Sequence, residues 1–205
     1  MMGIACIAWD FDGVLNDSIR DGRFIWADTV AEDIGHNIQA FLDDLFKTDF
    51  AEVVTDKVDL LDLFEVWAKR EGYAPGATHF LDYWFRKDAL ADPEMLRIMD
   101  EVAAMGIRQV IATNNERRRS DYIEHQMGFG NRTERLFSSG RLGVAKPDPA
   151  FFRRIEEALD LSGEQLLLVD DTLGNVEAAM ALGWRGHHYA RGDYLGLRRV
   201  LGLAE

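Results

Sequence analysis

The chain has 205 residues, 47% hydrophobic and 29% charged, which suits one good-sized core with room for a smaller inserted module. Its 36 acidic against 23 basic side chains give a formal charge of −13, a balance that repels nucleic-acid backbones and anionic membranes. A single cysteine, Cys6, excludes an intrachain disulfide and any thiol-rich metal site.

Residues 4–9 form a short apolar run that reads as a buried strand, stopped by Asp10-Phe11-Asp12-Gly13. Cys6 lies inside the run, where it packs as a small hydrophobe. The run is too short for a signal-peptide core, lacks a basic leader and ends in acid. No apolar stretch approaches a membrane-spanning length, so cytoplasmic placement is expected.

From about residue 17 to 88 the pattern becomes helical, as in Leu60, Leu61, Phe64 and Trp67, and aromatics are dense. Strand-like alternation is absent, and the segment reads as a compact helical module with its own small core. A dimer interface is the alternative use of its aromatics.

After Asp92-Pro93 the pattern alternates. Helices are expected over 94–105, 116–127, 150–159 and 172–182, with Pro93 opening the first and Gly106, Gly128 and Gly183 closing three of them. Strands are expected over 107–112, 166–169 and 186–189, and a short segment near 136–139 leads into Lys146-Pro147-Asp148-Pro149. Such alternation implies a parallel sheet with right-handed crossovers, and ligands bind beyond the carboxyl ends of its strands. Three polar segments sit at such ends: Asp10 to Gly13, Thr113-Asn114-Asn115 and Asp170-Asp171.

Asp10 and Asp12 are two apart where a strand ends, so both side chains can lean toward one site. Adjacent carboxylates repel, and a divalent cation stabilises them best. With the metal holding Asp10, that carboxylate can attack phosphorus, while Asp12 serves as general acid and then base. A plain turn or a calcium loop is the bland reading of this motif. Asp171, with Asp170 beside it, can supply further metal oxygens; acids before a helix also favour its dipole. Asn175 lies one turn into that helix, where its amide can hold a metal-bound water or Asp171. Thr113 and Asn114 offer a hydroxyl and amides at a strand-to-helix turn, an anion site or simply a helix cap. Lys146 can neutralise phosphate charge and restrain Asp10. Together, in this order, the four segments outweigh their separate structural readings.

Asp10 to Ser18, Ile111 to Asn115, Val144 to Pro149 and Leu168 to Ala179 resemble, in order, the four motifs of the haloacid dehalogenase-like hydrolase superfamily. The resemblance covers about two thirds of the chain. It implies an α/β fold, a Rossmann-like parallel sheet flanked by helices, with an inserted all-helical cap domain. On that reading residues 1–15 and 92–205 are the core and 16–91 the cap. It further implies Mg²⁺ and a phosphoaspartyl intermediate. By position, Asp10 is nucleophile and metal ligand, and Asp12 is acid/base with its backbone carbonyl on the metal. Thr113, Asn114 and Lys146 bind phosphate, and Asp171 is the acidic metal ligand with Asp170 second. The short gap between the second and third motifs leaves no room for another cap.

The implied activity is a Mg²⁺-dependent phosphatase acting on a small phosphorylated metabolite, sugar phosphates among the candidates. The expected partner is a small phosphorylated substrate, with no nucleic acid or membrane, and the chain is expected as a monomer or homodimer. Four alternatives stand beside it: a phosphosugar mutase, a metal-independent 2-haloacid dehalogenase, a phosphonate-cleaving relative and a non-catalytic scaffold. Asp12 and the Asp170-Asp171 pair argue against the second and third, and retention of Asp10 and Lys146 against the fourth. For specificity, Asn16, Asp17, Arg20 and Arg23 are the candidates nearest the first motif, with surface ion pairs the simpler role for the arginines. Arg117-Arg118-Arg119 reads as a solvated helix face.

Overall fold

The computed structural model describes residues 3–20 and 22–204. Along the chain, β1 (Cys6–Trp9) is followed by a small hairpin, β2 (Ile19–Arg20) and β3 (Arg23–Phe24). Five helices come next: α1 (Val30–Ile34), α2 (Gln39–Asp44), α3 (Phe50–Val53), α4 (Leu60–Glu71) and α5 (Gly76–Lys87). The remainder alternates as α6 (Pro93–Ala104), β4 (Arg108–Thr113), α7 (Arg117–Asp121), β5 (Arg135–Ser138), α8 (Ser139–Leu142), α9 (Pro149–Leu159), β6 (Leu166–Asp170), α10 (Leu173–Ala181), β7 (Arg185–His188) and α11 (Tyr194–Val200).

Five of the strands form one parallel sheet in the order β5-β4-β1-β6-β7, with β1 at its centre. Its middle strands are apolar along most of their length because both faces are covered, as parallel sheets require. Alternate residues serve opposite layers. Ile7, Trp9, Ile111, Leu167 and Val169 pack on one face with Met95, Ile98 and Val102 of α6 and Leu197 of α11. Cys6, Ala8, Val110, Ala112, Leu166 and Leu168 pack on the other with Phe151, Phe152 and Ile155 of α9. Burial pushes the Cys6 thiol up to about 12, so it sits there as an inert hydrophobe. In register, Trp9 lies opposite Ile111 and Val169, which brings Asp10, Thr113 and Asp170 to the same edge of the sheet.

The helical insert has a separate core built on Trp26, Phe64, Trp67 and Phe80, with the Phe64 and Phe80 rings stacked at 4.6 Å. Most of its aromatics are thus spent internally. α6 begins where Asp92 accepts from the backbone N–H groups of Glu94 and Met95, with Pro93 in its first turn.

Three features depart from the sequence reading. Residues 135–138 form the edge strand β5, too short and too polar at its ends to show a period. α11 lies beyond the last expected element; only Leu197 and the following Leu201 are fully buried, a weak signal without the sheet they pack on. The insert opens with a hairpin rather than a helix, with Gly22 at φ +72° between its strands. Among the described residues, no helix is long and apolar enough to cross a membrane.

Candidate active site

Asp10 follows directly on β1 and is 8% exposed. Its Oδ1 accepts from the Phe11 backbone N–H at 2.8 Å and pairs with Lys146 Nζ at 2.9 Å. Lys146, 4% exposed, also reaches Asp170 Oδ2 and the Ala112 carbonyl, each at 2.6 Å. Burial pushes the Asp10 carboxyl up to about 8 against the pull of Lys146, with Asp170 and Asp171 adding repulsion. Burial also works against the charge on Lys146, but Asp10 and Asp170 outweigh it and hold the amine above its ordinary range. The site therefore carries more negative charge than its own cation neutralises.

Asp12 is clamped at both oxygens. Oδ1 accepts from Asn16 Nδ2 at 3.0 Å and Ser18 Oγ at 3.4 Å, and Oδ2 accepts from Asn115 Nδ2 at 3.0 Å. Asn115 also donates to Thr113 Oγ1 at 2.8 Å, so one amide ties the end of β4 to the first motif. Asn115 escaped the sequence reading as a site residue, although it stands next to Asn114 in a run of two asparagines.

Thr113 is buried at the sheet edge beside this network. Asn114 makes two bonds with the backbone of Lys146, donating from Nδ2 to the carbonyl and accepting at Oδ1 from the N–H, both at 2.9 Å. Its side chain thus positions the lysine loop.

The acidic pair divides its work. Asp170 is fully buried, and its oxygens accept from Lys146, Asn175 Nδ2 and the Thr172 backbone N–H. Asn175 therefore holds Asp170, not Asp171. The Asp171 carboxylate accepts from Thr172 Oγ1 at 3.3 Å, and burial followed by Asp170 raises it above the usual range. Asp10, Asp170 and Asp171 each offer a carboxylate oxygen within 4.8 Å of the others. Three convergent hard oxygens around uncompensated negative charge are a donor set that suits Mg²⁺.

Gly13 allows this convergence. Its φ is +84°, and a Cβ there would stand 2.2 Å from Asp171 Oδ2. Gly13→Ala is expected to lose roughly 1–3 kcal/mol of stability and to push Asp171 out of place. Urea denaturation checks this, and an unchanged midpoint would show that the loop accommodates the methyl.

The specificity candidates have other roles. Asn16 is fully buried; besides Asp12 it donates to the Asp88 carbonyl at 2.8 Å and accepts from the Leu90 N–H at 2.7 Å. It stitches together the two crossings between insert and sheet instead of facing a ligand. Asp17 pairs with Arg20 at 2.7 Å and with Arg191 at 2.6 Å, and Arg23 pairs with Asp28. These arginines form the surface ion pairs expected of them.

In Arg117-Arg118-Arg119 the first two are exposed, as a solvated face would have them, and the third is buried. Arg117 pairs with Asp56 at 3.0 Å and Arg118 with Asp59 at 2.7 Å, both on the insert. Arg119 is 4% exposed and bonds Asp88 Oδ2 at 2.9 Å and the Phe85 carbonyl at 3.1 Å. Its guanidinium also lies 5.4–5.9 Å from the ring centres of Phe11, Phe85 and Tyr122. The buried partners of Arg119 lie 31 and 34 residues away in sequence, out of reach of any local pattern.

A cavity between insert and sheet opens onto these groups. Asp12, Asn114 and Asn115 line one part, Asp88, Glu116 and Arg119 its back, and insert side chains the remainder. Glu116 caps α7 by accepting from the Arg118 and Arg119 N–H groups, and burial raises its carboxyl to about 7.

The model of the family described as haloacid dehalogenase-like hydrolase matches residues 4–183. Drimenol cyclase drtB of Aspergillus calidoustus is 38% identical over 60 residues, 29% of this chain and 11% of that protein. Sesquiterpene phosphatase astK of Aspergillus oryzae is 28% identical over 97 residues, 47% of this chain and half of its own length. The phosphoglycolate phosphatase of Neisseria gonorrhoeae is 24% identical over 191 residues, covering 88% of this chain and 77% of that one. A HAD-family enzyme of Bacteroides thetaiotaomicron, crystallised with magnesium and inorganic phosphate, superposes with a TM-score of 0.78 at 15% identity, covering 95% of this chain and 99% of its own. With its sheet order, its acidic cluster at the strand ends and a family match over most of its length, the chain belongs to the haloacid dehalogenase-like hydrolases.

Proposed function

We propose that the protein is a Mg²⁺-dependent phosphatase that hydrolyses a small phosphorylated metabolite through a phosphoaspartate on Asp10. One observation carries the reading: Asp10 is locked against Lys146 at 2.9 Å while Asp12, two residues on, is held at both oxygens by Asn16, Ser18 and Asn115. A 2-haloacid dehalogenase has no use for that second clamped carboxyl. The phosphatase names of two relatives, and the magnesium and phosphate in the Bacteroides crystals, support both reaction and metal.

In this mechanism an Asp10 oxygen attacks phosphorus, and the bond to the leaving oxygen breaks as Asp12 passes it a proton. Water then attacks the same phosphorus, Asp12 takes its proton, and the bond to Asp10 breaks to free orthophosphate. Lys146 keeps Asp10 in line and offsets charge on the phosphoryl oxygens, which the Thr113-Asn114 turn faces with its amides. Bound Mg²⁺ would neutralise the crowded carboxylates and polarise a phosphoryl oxygen. Asp10 and Asp171 would hold it, with Asp170 behind them, since the Asp170 oxygens are already committed to Lys146 and Asn175. The −13 charge favours a small-molecule partner over nucleic acid or membrane.

Hydrolysis of p-nitrophenyl phosphate is expected to need Mg²⁺, to stop with excess EDTA and to return when Mg²⁺ is restored. Turnover that survives chelation would reject the metal.

A further inference from the structure

We infer that the substrate is a phosphomonoester of a hydrocarbon or aryl alcohol, and that the insert selects it with an apolar wall. The inference rests on the phosphatase reading and adds the leaving group. The cavity that reaches Asp12, Asn114 and Asn115 is lined from the insert by Phe24, Leu45, Phe50, Val54, Trp84 and Phe85. A group attached to phosphorus at Asp10 and protonated by Asp12 would extend along this wall.

Most polar side chains in the same cavity are already committed, although Asp88 Oδ1 is buried with no hydrogen-bond partner among the described residues. Asn115 spends its amide on Asp12 and Thr113, and Asn114 spends its own on the Lys146 backbone. Arg119, the one cation among the described lining residues, is bound to Asp88 and the Phe85 carbonyl. Glu116 is occupied in capping α7. A sugar would bring hydroxyls into a wall whose amide and guanidinium donors are taken, and burying them unpaired is costly. A leaving group with a carboxylate or a second phosphate would meet Asp88 and Glu116 with no uncommitted cation among the lining residues. Lys57 stands in an adjoining groove that shares Phe50, Val54 and Asn114, outside this lining. A hydrocarbon meets neither penalty and gains from each methylene removed from water.

The experiment is kcat/KM for orthophosphate release from ethyl, butyl, hexyl and octyl phosphate, kept below micelle concentrations, beside glucose 6-phosphate and phosphoglycolate, with Mg²⁺ present. The expected result is a rise of roughly two- to fourfold per added methylene until the wall is filled, with both polar esters below octyl phosphate. Phe50, 37% exposed at the start of α3, tolerates a polar replacement; Phe50→Ser is expected to lower the octyl-to-ethyl ratio at least about fivefold. A flat or falling series, or a polar ester preferred tenfold, with p-nitrophenyl phosphate still hydrolysed, overturns the inference and leaves the phosphatase reading standing. No release from any ester, p-nitrophenyl phosphate included, overturns both.

Discussion

Asp10→Asn is expected to cut turnover of p-nitrophenyl phosphate by on the order of 10⁴-fold or more, since it removes the nucleophile and leaves only binding and electrostatic assistance. The fold should survive. The asparagine carbonyl can still accept from the Phe11 N–H, and Lys146 keeps Asp170 and the Ala112 carbonyl. Stability supplies a second readout. In the metal-free protein Asp10 is a destabilised carboxylate, pushed up to about 8 by burial and then by its acidic neighbours. Its raised value means that ionisation weakens the fold as pH climbs from the ordinary aspartate range through about 8. The neutral amide removes that penalty, so metal-free Asp10→Asn should melt no lower than the parent at pH 8. Mg²⁺ should raise the melting temperature of the parent and barely move that of the variant, because ligand stabilisation follows affinity. A variant that keeps a tenth of the parent's turnover would exclude the phosphoaspartate route.

Arg119→Met should produce the largest loss of stability. Its partner Asp88 is 2% exposed, and burial followed by the nearby Asp12 charge has already pushed that carboxyl up to about 8 against the pull of Arg119. Removing the arginine strands a buried acid and the Phe85 carbonyl, at a cost of about 3–5 kcal/mol. For a chain of this length that corresponds to a fall of roughly 6–20 °C in melting temperature. The double variant Arg119→Met/Asp88→Asn should recover part of the loss, since the amide removes the stranded charge. A single variant within about 0.5 kcal/mol of the parent would show that the pair contributes nothing net.

The two predictions probe different parts of the chain, and those parts were unequally legible. Asp10, Asp12 and Asp171 could be picked out because each stands at the end of an apolar run, and Lys146 because of its place in the order of the four segments. Local chemistry also marked Asp92-Pro93 as the opening of α6, and the structure starts the helix there. Asn175 was assigned to the wrong aspartate, because a spacing of four or five residues does not say which of two adjacent carboxylates a helix turn will face. Arg119 departs from the solvated reading of its run for a related reason. Three successive basic residues look solvated until another segment brings Asp56, Asp59 and Asp88 to meet them. Asn16 looked like a substrate contact because it neighbours the first motif, yet its bonds run to residues 72 and 74 positions away.

Periodicity and strand-end chemistry by themselves determined the parallel α/β core, the helical insert and the order of the reactive segments. Those signals lie within a few residues of one another, where backbone preference and burial pattern act. Only the tertiary structure decided which oxygen faces which donor, that Arg119 is buried under the insert, and that the cavity beside Asp12 is walled with hydrocarbon. Contacts of that kind join residues tens of positions apart. They depend on how the insert closes over the sheet, and no local pattern records that packing.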